Sequence, residues 1–505
     1  MVIIGGGING CGVARDAAGR GLQVLLAEKG DLAGGTSSAS TKLIHGGLRY
    51  LEYYEFRLVR EALSEREVLL AAAPHIIAPM RFILPHHPGL RPAWLIRIGL
   101  FLYDHLGGRK VLPPSRQLDL RRDCSGASLK KMFKKGFEYS DCQVDDARLV
   151  VLTAIDAHEK GADIRVGTRM MQARREAGLW RIVLQDAETK QTETVSARVL
   201  VNAAGPWVGE VAAHSEGAGK ARDSVRLVKG SHIVVPRLYD HDRAYIFQNR
   251  DKRIVFAIPY EHDFTLIGTT DVDVPGGPGK VEASEEEIDY LCKAVSEYFI
   301  IPVTPDDVVW SFAGIRPLFN DGGESAQETT RDYVLDLQTG KPGSEEAPLL
   351  NIYGGKITSY RELAEEIMGR LKRFFPDLGP DWTHDAALPG GDIKSGNIDD
   401  LVAAFRHEHP HLPAGLARRL CHAYGTRVSM IADGVDTLAD MGRHFGADLY
   451  EREVVYLLEH EWARSAGDIV WRRSKLGLRL KTREIEELSD WLAARGERKV
   501  VSLNA

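Results

Sequence analysis

The chain of 505 residues is long enough to form two or three domains with large cores. A formal charge of −6 without a long basic run gives no case for nucleic-acid binding, and 44% apolar with 27% charged residues is typical of a soluble globular protein. Five cysteines without a CxxC pair argue against a disulfide framework and favour a reducing, cytoplasmic compartment.

The first 30 residues predict a βαβ unit that binds a nucleotide. The opening MVII runs directly into glycines, so we expect no signal peptide. Gly5, Gly7 and Gly10 form G-x-G-x-x-G, which allows a tight turn, close approach of a pyrophosphate and close helix–strand packing. The next strand, QVLLAE, ends in Glu28, whose carboxylate suits a ribose hydroxyl. NAD and FAD both remain open at this point.

A composite segment follows the fingerprint. Residues 40–52, STKLIHGGLRYLE, combine Lys42, His45 and Arg49 with a glycine pair, and residues 55–73 show helical spacing. Residues 91–110, RPAWLIRIGLFLYDHLGGRK, are apolar with basic flanks but too short to span a bilayer. They predict either a helix lying in a membrane interface or a buried core helix.

The middle of the chain is rich in strand patterns. LWRIVLQ, a polar turn and TETVSARVLVNAAG predict a β-hairpin that runs into a buried strand, which delivers Gly205 to its carboxyl end. Frequent strands in 225–275 predict an inserted sheet domain that supplies a substrate surface. Ser284 and Glu287 predict a capping box ahead of a helix.

A third glycine element precedes the C-terminal part. In LLNIYGGKITSYRELAEEI (349–367), Gly354 and Gly355 separate a strand from a helix whose N-terminus suits the pyrimidine of a flavin. After LPGGD (388–392) the pattern is almost wholly helical, and we place a domain boundary there. We expect the basic run WRRSK (471–475) to be a solvated face, and we expect no metal site from the alternating histidines of FRHEHPH.

Together these elements carry a family resemblance. The three glycine elements resemble the FAD-binding arrangement of the D-amino-acid-oxidase-like flavoproteins. The strings TSSASTKLIHGGLRYLEYYEFRLV, FEYSDCQVDDARLV, LVKGSHIVVP and GGKITSYR are similar to the bacterial aerobic, FAD-dependent and quinone-reducing glycerol-3-phosphate dehydrogenases. The resemblance implies an α/β fold: an FAD-binding Rossmann-like domain of the D-amino-acid-oxidase/glutathione-reductase type, an antiparallel-sheet substrate domain and an all-α C-terminal domain. The expected FAD-binding parts are about 1–80, 136–226 and 313–388, the substrate parts about 81–135 and 227–312, and the helical domain 389–505.

The resemblance also implies a reaction. It is the oxidation of sn-glycerol 3-phosphate to dihydroxyacetone phosphate, with electrons passing through FAD to a membrane quinone, in a cytoplasmic protein held peripherally at the inner face of the cell membrane. A homodimer stays open. One rival is an oxygen-using glycerophosphate oxidase, whose usual long insertion has no room here. The other is a flavin- or nucleotide-binding regulatory module without turnover, against which the cations and the third glycine element argue.

Such a reaction needs cations for a phosphate dianion, a base for the C2 hydroxyl and a flavin to accept hydride. We expect His232 to be the base, with a structural strand histidine as the alternative, and Arg316 to act with it. The expected substrate-binding residues are Arg49, Tyr50, Arg331 and Lys356. The expected cofactor-binding residues are Gly5, Gly7, Gly10, Glu28, Thr36, Ser37, Ser38, Lys42, His45, Gly46, Gly205, Gly354, Gly355, Lys356 and Thr358.

Overall fold

The computed structural model describes residues 1–217, 225–249, 251, 253–319, 332–339 and 346–503. Its strands are β1 Val2–Ile4, β2 Leu25–Glu28, β3 Leu43–Ile44, β4 Ile77–His86, β5 Arg116–Asp119, β6 Lys135–Val144, β7 Asp163–Val166, β8 Thr168–Glu176, β9 Leu179–Asp186, β10 Thr192–Ala197, β11 Leu200–Asn202, β12 Val225–Pro236, β13 Ala244–Gln248, β14 Ile254–Tyr260, β15 Phe264–Gly268, β16 Val272–Asp273, β17 Trp310–Phe319, β18 Val334–Gln338, β19 Leu349–Tyr353, β20 His444–Gly446 and β21 Leu449–Tyr450. Its α-helices are α1 Ile8–Gly19, α2 Phe56–Ala72, α3 Ala93–Leu106, α4 Asp146–Glu159, α5 Val208–Ala213, α6 Glu285–Ser296, α7 Tyr360–Leu371, α8 Ile398–Glu408, α9 Ala414–Tyr424, α10 Val428–Ala432, α11 Glu451–His460 and α12 Thr482–Leu503.

The first sheet is the predicted nucleotide-binding sheet. Its strand order is β18-β19-β11-β1-β2-β7, and all neighbours pair in parallel except the edge strand β18. Helix α1 packs against α4 and α7, and the glycines and alanines in its sequence INGCGVARDAAG let it come close to its neighbours. The parallel strands are short apolar runs, as expected where both faces of a sheet are covered. The predicted Rossmann-like fold is confirmed.

The second sheet is the one predicted to supply the substrate surface. Its order is β16-β12-β15-β14-β13-β4-β6-β3, with β17 added to β12 and β5 to β6. Its pairs are antiparallel except β4 with β13.

Two local predictions are also confirmed. Strands β9 and β10 form the predicted hairpin in a separate sheet of order β10-β9-β8, and Ser284 forms a capping box with Glu287 at the start of α6.

The C-terminal helices α8 to α12 enclose a hydrophobic core of their own, drawn from residues between 402 and 488. A two-stranded ribbon, β20 with β21, interrupts the helical pattern that the sequence predicts. The predicted boundary at 388/389 stays a prediction. Across the described ranges, no helix is both long and apolar enough to cross a membrane.

The expectation of a solvated basic face at WRRSK is wrong. Arg473 is fully buried, and Lys475 is nearly so. Both side chains lie against carboxylates from the nucleotide-binding part of the chain: Arg473 pairs with Asp31, and Lys475 pairs with Asp145. Asp31 and Asp145 are more than 300 positions away in the chain, so the local charge pattern could not reveal these two pairings.

Helix α3 combines features of both readings of the 91–110 segment. Leu100 and Tyr103 are buried, whereas Trp94 and Phe101 are 65% and 54% exposed. The helix is therefore amphipathic, with one face in the core and an apolar outer face turned to the surroundings.

Candidate active site

A cavity of about 1350 Å³ joins the two sheets. It begins at the carboxyl ends of β1 and β2 and reaches the face of the second sheet that carries β12 and β17, so that Glu28, Lys356, His232 and Arg316 all line it. Ordinary small-molecule sites occupy roughly 300–1,000 Å³. This volume suits a dinucleotide together with a small substrate.

The fingerprint glycines build the nucleotide end of the cavity. Gly5 has φ +116°, and a Cβ there would lie 2.5 Å from the carbonyl oxygen of Ala203. A Cβ on Gly10 would lie 1.9 Å from the carbonyl oxygen of Gly5, which fits the packing role expected for the third glycine. Ser37 accepts a hydrogen bond from the N–H of Ile8 at 3.0 Å, in the first turn of α1. The start of α1 faces the cavity, and the N-terminus of a helix favours a phosphate.

Glu28 ends β2 and lines the same end. Its carboxylate accepts hydrogen bonds from the N–H groups of Gly6 at 2.7 Å and Gly30 at 2.8 Å. Burial raises its pKa, and these two hydrogen bonds act in the opposite direction. A carboxylate has further acceptor positions, so Glu28 can also accept from ribose hydroxyls.

The second and third glycine elements also reach the cavity. Gly205 follows β11, and Gly354 with Gly355 follows β19; all three line the cavity. Asn9 of α1 donates to the carbonyl oxygen of Gly354 at 3.1 Å and ties the fingerprint to the third element. The Asn9 side-chain oxygen is buried and finds no partner in the described structure. Sequence reasoning missed Asn9, although its place directly after Gly7 and Ile8 was a usable signal.

Of the predicted cofactor-binding residues in the 36–47 segment, Thr36, Ser37 and His45 line the cavity. Gly7 of the fingerprint and Thr358 after the third glycine element line it as well. The His45 N–H donates to Thr358 Oγ1 at 3.3 Å, its Nδ1 accepts from Gly47 at 3.1 Å, and burial lowers its pKa. Thr36 donates to the carbonyl oxygen of Ile315 at 2.5 Å.

Ser38, Lys42 and Gly46 are absent from the described residues that line the cavity. The Lys42 ammonium is buried and lies 2.8 and 2.9 Å from the two carboxylate oxygens of Asp146. Gly46 instead makes room for packing, because a Cβ there would lie 2.4 Å from Leu63. In the structure, Lys42 therefore forms an ion pair and Gly46 allows close packing, and both residues lie outside the cavity lining.

His232 and Arg316 lie on adjacent antiparallel strands at the end of the cavity that is formed by the second sheet. His232 pairs with Phe312, and Val228 pairs with Arg316, so both side chains point to the same face of the sheet. His232 also sits opposite Gly268, where a Cβ would lie 2.0 Å from the imidazole, so only glycine leaves room for the ring.

The imidazole of His232 is held in a defined orientation. Its Nε2 lies 3.0 Å from Thr41 Oγ1, and its ring stacks on Phe312 with centroids 4.9 Å apart. Burial, with Arg316 and Lys42 nearby, lowers its pKa well below the usual value. The ring is therefore neutral near pH 7 and able to accept a proton.

Cations and tyrosines surround the same end. Arg316 pairs with Asp271 at 2.5 Å and donates to Thr269 Oγ1 at 3.2 Å. The Lys356 ammonium is buried 4.1 Å from the centre of the Tyr50 ring and has no hydrogen-bond partner among the residues that the structure describes. Arg49 also lines the cavity and donates to Tyr53 at 3.3 Å, whereas Arg331 lies outside the described residues.

The site therefore joins a nucleotide cradle to a pocket that holds a neutral imidazole and the buried ammonium of Lys356, an arrangement suited to an enzyme that works with a bound dinucleotide. In the described structure, no three His, Cys, Asp or Glu side chains come together as a metal site. The chain belongs to the family of FAD-dependent oxidoreductases, whose model matches residues 1–350, and FAD is its cofactor. A second model, the C-terminal domain of alpha-glycerophosphate oxidase, matches residues 382–494.

The names of individual relatives are more specific than the descriptions of the two family models. The chain is 55% identical to D-erythritol 1-phosphate dehydrogenase of Brucella abortus, covering 97% of each chain. It is 53% identical to glycerol-3-phosphate dehydrogenase of Pseudomonas aeruginosa, covering 97% of this chain and 94% of the relative, and 50% identical to the aerobic enzyme of Escherichia coli, covering 97% of each. The solved glycerol-3-phosphate dehydrogenase of Bacillus halodurans, complexed with FAD, aligns with a TM-score of 0.77 at 27% identity, over 98% of this chain and 90% of that one. The resemblance drawn from the sequence is confirmed.

Proposed function

We propose that this chain oxidises sn-glycerol 3-phosphate to dihydroxyacetone phosphate and passes the electrons through FAD to a membrane quinone. The observation that supports this most is the buried ammonium of Lys356 in the same cavity as the neutral His232. A phosphate dianion would satisfy the first group, and a hydroxyl proton the second. Bound FAD supplies the hydride acceptor.

Each residue has a proposed task. Lys356, Arg316 and Arg49 hold the phosphate, and Tyr50 keeps the Lys356 ammonium over the site. His232 takes the proton of the C2 hydroxyl through its imidazole, while Thr41 fixes the ring. Arg331 and the remaining predicted residues keep their assignments as proposals.

A second candidate substrate is D-erythritol 1-phosphate. It is favoured by the 55% identity to the Brucella abortus enzyme. Both compounds are polyol phosphates, so the cations and the base would serve either one. Anaerobic stopped-flow bleaching of the flavin by each compound decides between them: the physiological substrate should reduce the flavin with the larger second-order rate constant. Bleaching by neither compound would refute both and favour a regulatory module without turnover.

The electron acceptor needs a separate assay. With substrate present, a soluble quinone analogue should be reduced much faster than oxygen is consumed at an oxygen electrode. Oxygen consumption as fast as quinone reduction would make the chain an oxidase.

The outer face of α3 is the proposed site of peripheral membrane contact. Trp94, Ile98 and Phe101 are spaced along one exposed side, and Tyr53, which lines the cavity, belongs to the segment that packs against the helix. Arginines on both flanks suit anionic headgroups. The segment Leu48–Tyr53 contacts both α3 and the cavity, so a quinone in the bilayer would approach the flavin from this side. Sedimentation of the detergent-free protein would decide between a monomer and the homodimer that the sequence left open.

A further inference from the structure

A π-helical segment of the C-terminal part, Asp468–Arg473, reaches the nucleotide end of the cavity. Segments of this kind are rare and often accompany functional sites. Its Trp471 stacks on Trp310 with ring centroids 4.6 Å apart and an angle of 19°. The segment is therefore anchored to the substrate sheet as well as to its own core.

Two arginines of this segment bind one carboxylate of the nucleotide-binding part. Arg473 donates from both terminal nitrogens to Asp31, each bond 2.8 Å long, and Arg472 Nε donates to the same carboxylate at 2.5 Å. Arg473 is wholly buried, and the Arg472 side chain is also paired with Asp468. Charge-assisted bonds of this geometry are among the strongest side-chain contacts in proteins.

Asp31 lies in the loop that shapes the ribose and pyrophosphate end of the site. Glu28, three residues earlier, bonds to the N–H groups of Gly6 and Gly30, and the N–H of Ala33 donates to the carbonyl oxygen of Gly6 at 3.0 Å. The loop and the fingerprint are thus hydrogen-bonded into one unit. Holding Asp31 fixes the position of Glu28 and of the turn at Gly6.

Arg472 differs from Arg473 in one respect: it also lines the cavity, together with Glu28 and Asp31. We propose that Arg472 belongs to the FAD site, where it lines the nucleotide end of the cavity and holds the Asp31 loop in place. The C-terminal part then contributes directly to cofactor affinity. By thermodynamic reciprocity, bound FAD must in turn stabilise the contact between this segment and the loop.

The test compares Arg472→Gln with Arg427→Gln. Arg427 also comes from the C-terminal part and pairs with the nucleotide-binding part, through Glu159 at 2.6 Å, but it is not among the described residues that line the cavity. FAD affinity is measured by fluorescence titration of the full-length apoprotein. We expect the Kd to rise about tenfold for Arg472→Gln and less than twofold for Arg427→Gln. An unchanged Kd for Arg472→Gln, or equal losses for both variants, would overturn the proposal.

A measurement on the unaltered chain covers the case in which a variant does not fold. Hydrogen exchange of residues 468–473 is compared in the full-length protein with and without FAD. Slower exchange with FAD is expected, because the loop and the segment are coupled. Identical exchange in the two states would refute the coupling. Neither experiment involves a polyol phosphate, so its outcome is independent of the proposed reaction.

Discussion

The ammonium of Lys356 lies over the ring of Tyr50, 4.1 Å from its centre, and this cation–π contact is its only partner that the structure describes. A buried ammonium without a hydrogen-bond acceptor is costly, and an anionic substrate group would relieve that cost.

The first prediction follows from this contact. Lys356→Met should raise the KM for the polyol phosphate at least about tenfold, because the phosphate loses a charge-assisted bond. Lys29 offers a matched control, since it lies 4.0 Å from the centre of the Trp207 ring at the nucleotide end of the same cavity. With FAD saturating, Lys29→Met should leave the KM unchanged. Steady-state kinetics measure both, and equal KM values for Lys356→Met and the parent would contradict the assignment.

The second prediction concerns the proton acceptor. His232→Gln should slow flavin reduction by substrate about a hundredfold while substrate affinity changes little. Thr41→Val removes the hydroxyl that contacts the imidazole but leaves the base in place, so its effect should be smaller. Anaerobic stopped-flow kinetics give the reduction rate and the substrate affinity separately. If the His232→Gln enzyme reduced its flavin at the normal rate, His232 would be a structural strand histidine and not the base.

The pH dependence provides a third prediction. A base works only when deprotonated, and burial lowers the pKa of His232 well below its ordinary value of 6.5. The reduction rate should therefore stay level from pH 8 to 6.5 and fall only as the pH drops through the lowered pKa. A rate that already declines between pH 8 and 7 would assign the titration to another group.

The fourth prediction tests the outer face of α3. Trp94→Ser combined with Phe101→Ser should reduce flotation with anionic liposomes, because both exposed apolar side chains leave the interface. Ile300 and Ile301, which are also exposed but lie after α6 in the substrate part, provide the control pair. Serine at both control positions should leave flotation intact. Equal losses from the two double variants would argue against a specific contact at α3.

The fifth prediction links a buried histidine to acid sensitivity. His75 is buried, neither ring nitrogen has a partner within the described ranges, and burial, with Arg148 and His422, lowers its pKa to about 3. The unfolded chain binds a proton below about pH 6.5 and the folded chain only below about pH 3, so stability should fall by roughly 1.4 kcal/mol per pH unit between these two values. The melting temperature of His75→Met should depend less on pH between 7 and 5 than that of the parent. Parallel pH profiles would contradict this account.

The sequence predicts those parts of the site that depend on a local residue pattern. The glycine fingerprint, the acid at the end of β2 and the strand that bears His232 all have signatures within about thirty residues. The partners of Lys42 and Arg473 have no such signature, because Asp146 and Asp31 lie 104 and 442 positions away. The local sequence therefore predicts that Lys42 binds the cofactor, whereas in the structure its ammonium is paired with Asp146 outside the cavity lining. The burial of the C-terminal arginines was missed for the same reason.

The pairing of β12 with β17 has a consequence for how this enzyme can diverge. His232 and Arg316 share one face only because Val228, the partner of Arg316, lies an even number of positions before His232 in the same strand. A single-residue insertion or deletion between them would turn one of the two side chains to the opposite face of the sheet. Natural variants adapted to longer or shorter polyols should therefore keep the length of these strands and differ in side chains and surface loops.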